Sequence, residues 1–159
     1  MTKATAPIAE RELAITRTFE APRELVFRMW TDPAHVARWW GPHHFTNPVC
    51  EVDARVGGAI LIHMRAPDGA DHPMTGRFLE IAPPERLVFT TAVDSADGER
   101  LLEGHTTVTF AEHGGKTTLT LNTRAVGFAA VAARMLEGMQ AGWTQSLEKL
   151  EALVNQTRA

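Results

Sequence analysis

From residue 13 the chain alternates. Leu13, Ile15 and Phe19 fall on one face of an extended segment, and Thr16 and Thr18 fall on the other. A period of two is that of a strand with one buried face. Ala21-Pro22 stops the pattern, and Pro22 suits a first helical position because its missing N–H would be unpaired there in any case. Glu24 lies in the turn that follows, where the helix dipole favours an acid. Leu25, Val26, Met29 and Trp30 make the apolar stripe of a short helix. Asp32-Pro33 begins a second one, with Asp32 as N-cap and Pro33 as the first helical residue. Val36, Trp39 and Trp40 continue it, and Gly41-Pro42 ends it. Residues 22–40 thus predict two short helices bent at Thr31-Asp32.

Strand signals dominate from Val49 onward. Cys50, Val52, Ala54 and Val56 alternate with Glu51, Asp53 and Arg55, and Gly57-Gly58 makes a tight connection. Ile60, Ile62 and Met64 alternate with Leu61, His63 and Arg65 before the turn Pro67-Asp68-Gly69. Met74, Gly76 and Phe78 alternate with Thr75, Arg77 and Leu79, and Pro83-Pro84 breaks the chain. Leu87, Phe89, Thr91 and Val93 share a face, as do Leu102, Thr106, Val108 and Phe110, with Asp97-Gly98 between them. Leu119 and Leu121 close the series after His113-Gly114-Gly115. Roughly six strands joined by short turns predict an antiparallel meander. The period then changes. Phe128, Val131, Met135, Met139, Trp143, Leu147, Leu150 and Val154 recur at intervals of three and four, which predicts one long amphipathic helix of about seven turns. Its apolar stripe must be buried, and the sheet is the large surface available. The expected fold is α+β: a curved antiparallel sheet of about seven strands around a long C-terminal helix, with two short helices after the first strand.

Composition narrows the function classes. The chain has 159 residues, 44% of them hydrophobic, enough for one sizeable core. Sixteen basic and 19 acidic residues leave a net charge of −3, without the basic excess of a nucleic-acid binder. Cys50 is the single cysteine, so no intrachain disulfide can form and a reducing compartment is expected. No apolar run is long enough to span a membrane, and residues 1–10 lack the apolar block of a signal peptide. A soluble cytoplasmic domain is the expectation. Tyrosine is absent, yet Trp30, Trp39 and Trp40 fall close together. Such a cluster reads as core packing or as the wall or lid of an apolar pocket.

The residues offer little reactive chemistry. There is no GxGxxG, GxxxxGK[ST], HExxH or GxSxG motif, and Cys50 has no second cysteine with which to bind zinc, so no metal or cofactor is expected. His43 and His44 follow the Gly41-Pro42 break on a loop, and His63 lies opposite the apolar face of its strand. His72 shares the parity of Met74 and Phe78 near a strand end, which makes it the one weak candidate for acid–base work. Cys50 also has inward parity and reads as a small buried hydrophobe rather than a nucleophile. Asp53 and Arg55 read as a surface ion pair. Gly138 and Gly142 interrupt the long helix, at about 1 kcal/mol each relative to Ala, for close helix-to-sheet contact or for room beneath the helix. Met64, Met74, Met135 and Met139 would supply adaptable walls for a ligand there. Inward polar groups are few: His72, Thr91, Thr106 and Cys50. A mostly apolar site with few polar groups fits small-molecule binding better than acid–base catalysis.

Phe19-Glu20-Ala21-Pro22, Trp30-Thr31-Asp32-Pro33, Trp39-Trp40-Gly41-Pro42, Pro83-Pro84-Glu85-Arg86-Leu87-Val88-Phe89 and Glu137-Gly138-Met139 through Gly142-Trp143 form a set. It resembles the heat-shock-protein-90 ATPase activator homologue-like family, a branch of the START/SRPBCC superfamily with the helix-grip fold. The resemblance covers about residues 11–154 and implies a single domain over 11–155, with tails at 1–10 and 156–159. It also implies a deep cavity between sheet and long helix. Trp40, Cys50, Ile62, Met64, Met74, Phe78, Phe89, Thr91, Met135, Met139 and Trp143 are the expected lining. Thr91 stands where the family commonly has an aromatic. The expected partner is a hydrophobic small molecule, lipid-like or polyketide-like and aromatic, in a stress or detoxification setting. The alternative is an enzyme of the polyketide cyclase or dehydratase type, and a co-chaperone-like interaction module ranks last because the chain has no room for a second domain. Trp30 is expected in the helix-to-sheet core, Trp39 and Trp40 near the cavity entrance. The chain is expected as a monomer or a homodimer.

Overall fold

β1 (Ala9–Phe19) leads into α1 (Arg23–Thr31) and α2 (Pro33–Trp39). The meander follows as β2 (Thr46–Val52), β3 (Ala59–Arg65), β4 (Asp71–Ala82), β5 (Arg86–Asp94), β6 (Arg100–His113) and β7 (Lys116–Gly127). α3 (Ala130–Glu137) and α4 (Met139–Arg158) end the chain in this computed structural model, which describes residues 6–158. All pairings are antiparallel, in the order β1-β7-β6-β5-β4-β3-β2. The α+β helix-grip architecture expected from the sequence is the one observed. Of the expected tails, residues 1–5 and Ala159 lie outside the described residues, Ala9 and Glu10 belong to β1, and residues 156–158 extend α4.

Local chemistry accounts for the short helices. Asp32 accepts a hydrogen bond from the Ala34 N–H at 3.0 Å while Pro33 opens α2, as its sequence requires. At α1, Pro22 is the N-cap in an extended conformation rather than the first helical residue. Its fixed φ is compatible with either position, so the sequence alone does not separate them.

Two expectations need correction. The strand expected through Val56 ends at Val52, and Ala54 and Val56 are exposed. Residues 53–58 form a turn instead, because the Asp53 N–H bonds the Ala59 carbonyl and the Gly58 N–H bonds the Arg55 carbonyl. Asp53 and Arg55 do pair, at 2.7 Å, within that turn. The single long C-terminal helix is divided at Gly138, whose backbone stays right-handed at φ −83° and ψ −4°. The i to i−4 bonds at Gly138 and Gly142 are made, so a helical turn closes on each side of the division.

Neither helix glycine is demanded by close packing on the sheet. Gly138 is exposed, and a Cβ on Gly142 would meet only Pro42, at 3.9 Å. The core beneath the rod is set further along, where Leu147, Leu150 and Val154 of α4 meet Phe19, Leu119 and Leu121, all at 0% exposure. Arg17 of β1 adds an ion pair to Glu151 of α4 at 3.0 Å.

Candidate functional site

The interior between the short helices and strands β2–β5 is walled by aromatic and branched apolar side chains. Trp30, Val36 and Trp40 close it from the helical side. Val52, Ile60, Ile62, Phe78 and Phe89 close it from the sheet. The enclosed space is only about 20 Å3. That is room for about one water, against the several hundred Å3 of ordinary ligand pockets. Where the family resemblance implies a deep cavity, this part of the interior is nearly filled, and large rings do the filling. Trp30 and Trp143 stack at 6.2 Å, Trp40 meets Trp143 edge-on at 5.4 Å, and Phe78 meets Phe89 at 6.3 Å.

The expected lining residues divide into three groups. Trp40, Ile62, Phe78 and Phe89 bound the enclosed space. Met74 is buried beside it, opposite Ile62 in register, and Cys50 pairs with Ile62 from the other side. Met64, Thr91, Met135, Met139 and Trp143 are half-buried toward the margin of the sheet-to-helix layer. Sequence reasoning missed Val36, Val52, Ile60 and Trp30 as wall residues. Parity could have found Val52 and Ile60, which alternate in step with Cys50 and Ile62. Trp30 lies in the helix-to-sheet core as expected, against Phe89 and Phe110, and it is Trp39 that departs from expectation. Trp39 is fully buried, its indole N–H donating to the Met29 carbonyl at 2.9 Å, whereas Trp30 faces the enclosed space.

Thr91 sits in a row of small inward residues. It pairs with Gly76 on one side and Gly104 on the other, and Gly104 pairs in turn with Ala125. A Cβ on Gly76 would lie 2.1 Å from the Thr90 carbonyl oxygen, and one on Gly104 would lie 2.6 Å from the Thr91 hydroxyl. Glycine is thus required at both positions by close approach of the neighbouring strand, the Thr90 backbone at Gly76 and the Thr91 side chain at Gly104.

Of the polar candidates, His72 lies apart from this interior and Cys50 packs against it. His72 is exposed at the start of β4, its ring 6.2 Å from Phe45. Burial pushes the Cys50 thiol up to about 11, which makes it a poor nucleophile at neutral pH. No group of three or more His, Cys, Asp or Glu that could hold a metal ion exists among the described residues. Lys149 is a polar feature that sequence reasoning did not single out. Its Nζ donates to the carbonyls of Gly41 at 3.2 Å and Pro42 at 3.3 Å, and reaches those of Trp40 and Phe45 at 3.5 Å. Partial burial lowers its pKa. With the His43 N–H donating to Gln145 at 3.1 Å, it fastens the loop after α2 to α4, beside Trp40. An open groove of about 380 Å3 crosses the outer face of β1, β7 and β6. Glu12, His105, Thr107, Asn122 and Arg124 line it, and Arg124 is already paired with Glu10 and Glu12.

The model for "Activator of Hsp90 ATPase homolog 1-like protein" matches residues 20–155. The chain belongs to that family. Several solved structures share both fold and sequence with it. Protein CV1439 from Chromobacterium violaceum is 35% identical, with a TM-score of 0.77, over 90% of this chain and 96% of that one. The AHSA1 (SPO3351) protein from Silicibacter pomeroyi is 26% identical, with a TM-score of 0.79, over 92% and 99%. Protein Mll3558 from Rhizobium loti is 26% identical, with a TM-score of 0.73, over 91% and 96%. No curated protein matches the chain. The family's fold is one known for ligand binding. Among the described residues, no helix is long and apolar enough to cross a membrane.

Proposed function

We propose that this protein binds a hydrophobic small molecule between the sheet and the C-terminal helices. The observation that carries the reading is an interior walled wholly by apolar and aromatic side chains, with adaptable methionines half-buried at its helical side. Met135, Met139 and Trp143 are half-buried on the helices, and Gly76, Thr91, Gly104 and Ala125 form a row of small residues across β4 to β7. Methionine side chains re-pack around differently shaped ligands at little cost. Displacement of Trp143 from its contacts with Trp30 and Trp40 would join this margin to the enclosed space. The loop fastened by Lys149 carries Trp40 and would bound the mouth. The ligand is lipid-like or aromatic, since the walls are hydrocarbon and indole. His72 is exposed and outside this interior, so cyclase or dehydratase chemistry gains no buried acid or base from it.

Thr91 gives the test. Thr91→Phe restores the aromatic the sequence resemblance leads one to expect and adds bulk to the inner face between Gly76 and Gly104. Titration calorimetry with 2-acetylnaphthalene should show binding to the natural protein with a negative heat-capacity change. Thr91→Phe should keep its thermal transition and lose binding by at least about tenfold, the effect of roughly 1.4 kcal/mol. Equal binding by a folded Thr91→Phe would overturn this location.

A further inference from the structure

Trp30 is 4% exposed, and its indole nitrogen is fully buried with no acceptor in the protein. Trp39, in the same cluster, shows the ordinary solution, with its N–H on the Met29 carbonyl. Around Trp30 stand the rings of Trp39 at 4.6 Å, Trp143 at 6.2 Å, Phe89 at 6.3 Å and Phe110 at 6.4 Å. Ring faces are at best weak acceptors. The other side chains around the enclosed space are hydrocarbon, apart from the donor-only indole of Trp40. A buried donor left unpaired is a standing penalty that an acceptor brought from outside would remove.

We propose that the ligand carries a neutral hydrogen-bond acceptor oxygen, a carbonyl or ether, on an apolar frame of aromatic size, and that Trp30 Nε1–H donates to it. This rests on the binding function proposed above and adds the ligand's polar chemistry. The acceptor is neutral because the wall supplies no cation: Lys149 Nζ is engaged by backbone carbonyls on the loop. A carboxylate or phosphate placed against Trp30 would be desolvated without compensation. Trp30 therefore selects among apolar molecules of similar shape, and orients the one it selects with its oxygen toward α1.

Matched ketone and alkene probes isolate the acceptor, because C=O and C=CH2 have nearly the same shape. The pairs are acetophenone with α-methylstyrene, and 2-acetylnaphthalene with 2-isopropenylnaphthalene. On the natural protein each ketone should bind roughly five- to tenfold tighter than its alkene, the effect of one net hydrogen bond. In nitrogen-15 NMR the Trp30 indole proton should move downfield with the ketone and stay nearly in place with the alkene. Trp30→Phe should bring the affinity ratio to about one while retaining alkene binding; if that variant does not fold, the indole shift in the natural protein decides alone. Equal binding of both partners with an unmoved Trp30 indole would overturn the inference and leave the binding function standing; a water held permanently on the indole gives this result. Failure of all four probes to bind would overturn both.

Discussion

Cys50 shows how one side chain reports its surroundings. Its thiol is raised from 9.0 to about 11 by burial on β2, opposite Ile62. The folded chain therefore holds this proton more tightly than the unfolded chain does. The resulting stabilisation is complete below pH 9 and is lost as pH rises from 9 to about 11. Urea unfolding at a series of pH values should show that decline, and Cys50→Ala should remove its share of the slope. Alkylation of Cys50 at pH 8 should also be far slower than that of a free thiol. Much at this scale was legible in the sequence. Asp32 capping α2 follows from a side chain two residues before the amide it serves, and Cys50's inward parity follows from alternation. The unpaired indole of Trp30 was not legible, because it depends on which groups of α2, β5, β6 and α4 stand opposite, and residues far apart in sequence decide that. Lys149 is similar. Its four carbonyl contacts come from residues more than a hundred positions away.

Among the elements, the C-terminal rod is the most revealing. Its apolar period reads through Gly138 without interruption, so periodicity predicts one helix where there are two joined segments. The glycine suggests a weak point but not its geometry. Gly142 has no packing reason visible in the fold, since a Cβ there would meet only Pro42 at 3.9 Å. Gly142→Ala should therefore stabilise α4 by about 0.5–1 kcal/mol, the helix-propensity difference, measured by urea unfolding. A loss of stability would mean that the rod must flex at this turn in the free protein. The meander was legible strand by strand because each has one buried face. The end of β2 was not: Ala54 and Val56 continue the alternation past Val52, and a turn held by backbone hydrogen bonds leaves no mark in the pattern of apolar residues.

At the level of the whole molecule, sheet and rod enclose an interior that is apolar, aromatic and nearly closed. The sequence resemblance anticipated a hollow. The fold supplies the frame of one, but Trp30, Trp40, Trp143 and Phe89 occupy it, and ring packing of that kind cannot be read from side-chain identity or spacing. Opening must break contacts such as the 6.2 Å stack of Trp30 on Trp143, so a ligand has to return at least that much apolar contact. A molecule that does so should stay bound through purification. Native mass spectrometry of the freshly purified protein tests this most directly. The account predicts a species heavier than the 17.5 kDa chain by the mass of one small apolar molecule, absent after denaturation and absent from Thr91→Phe. The bare chain mass in preparations from several hosts, unchanged after incubation with 2-acetylnaphthalene, would contradict it.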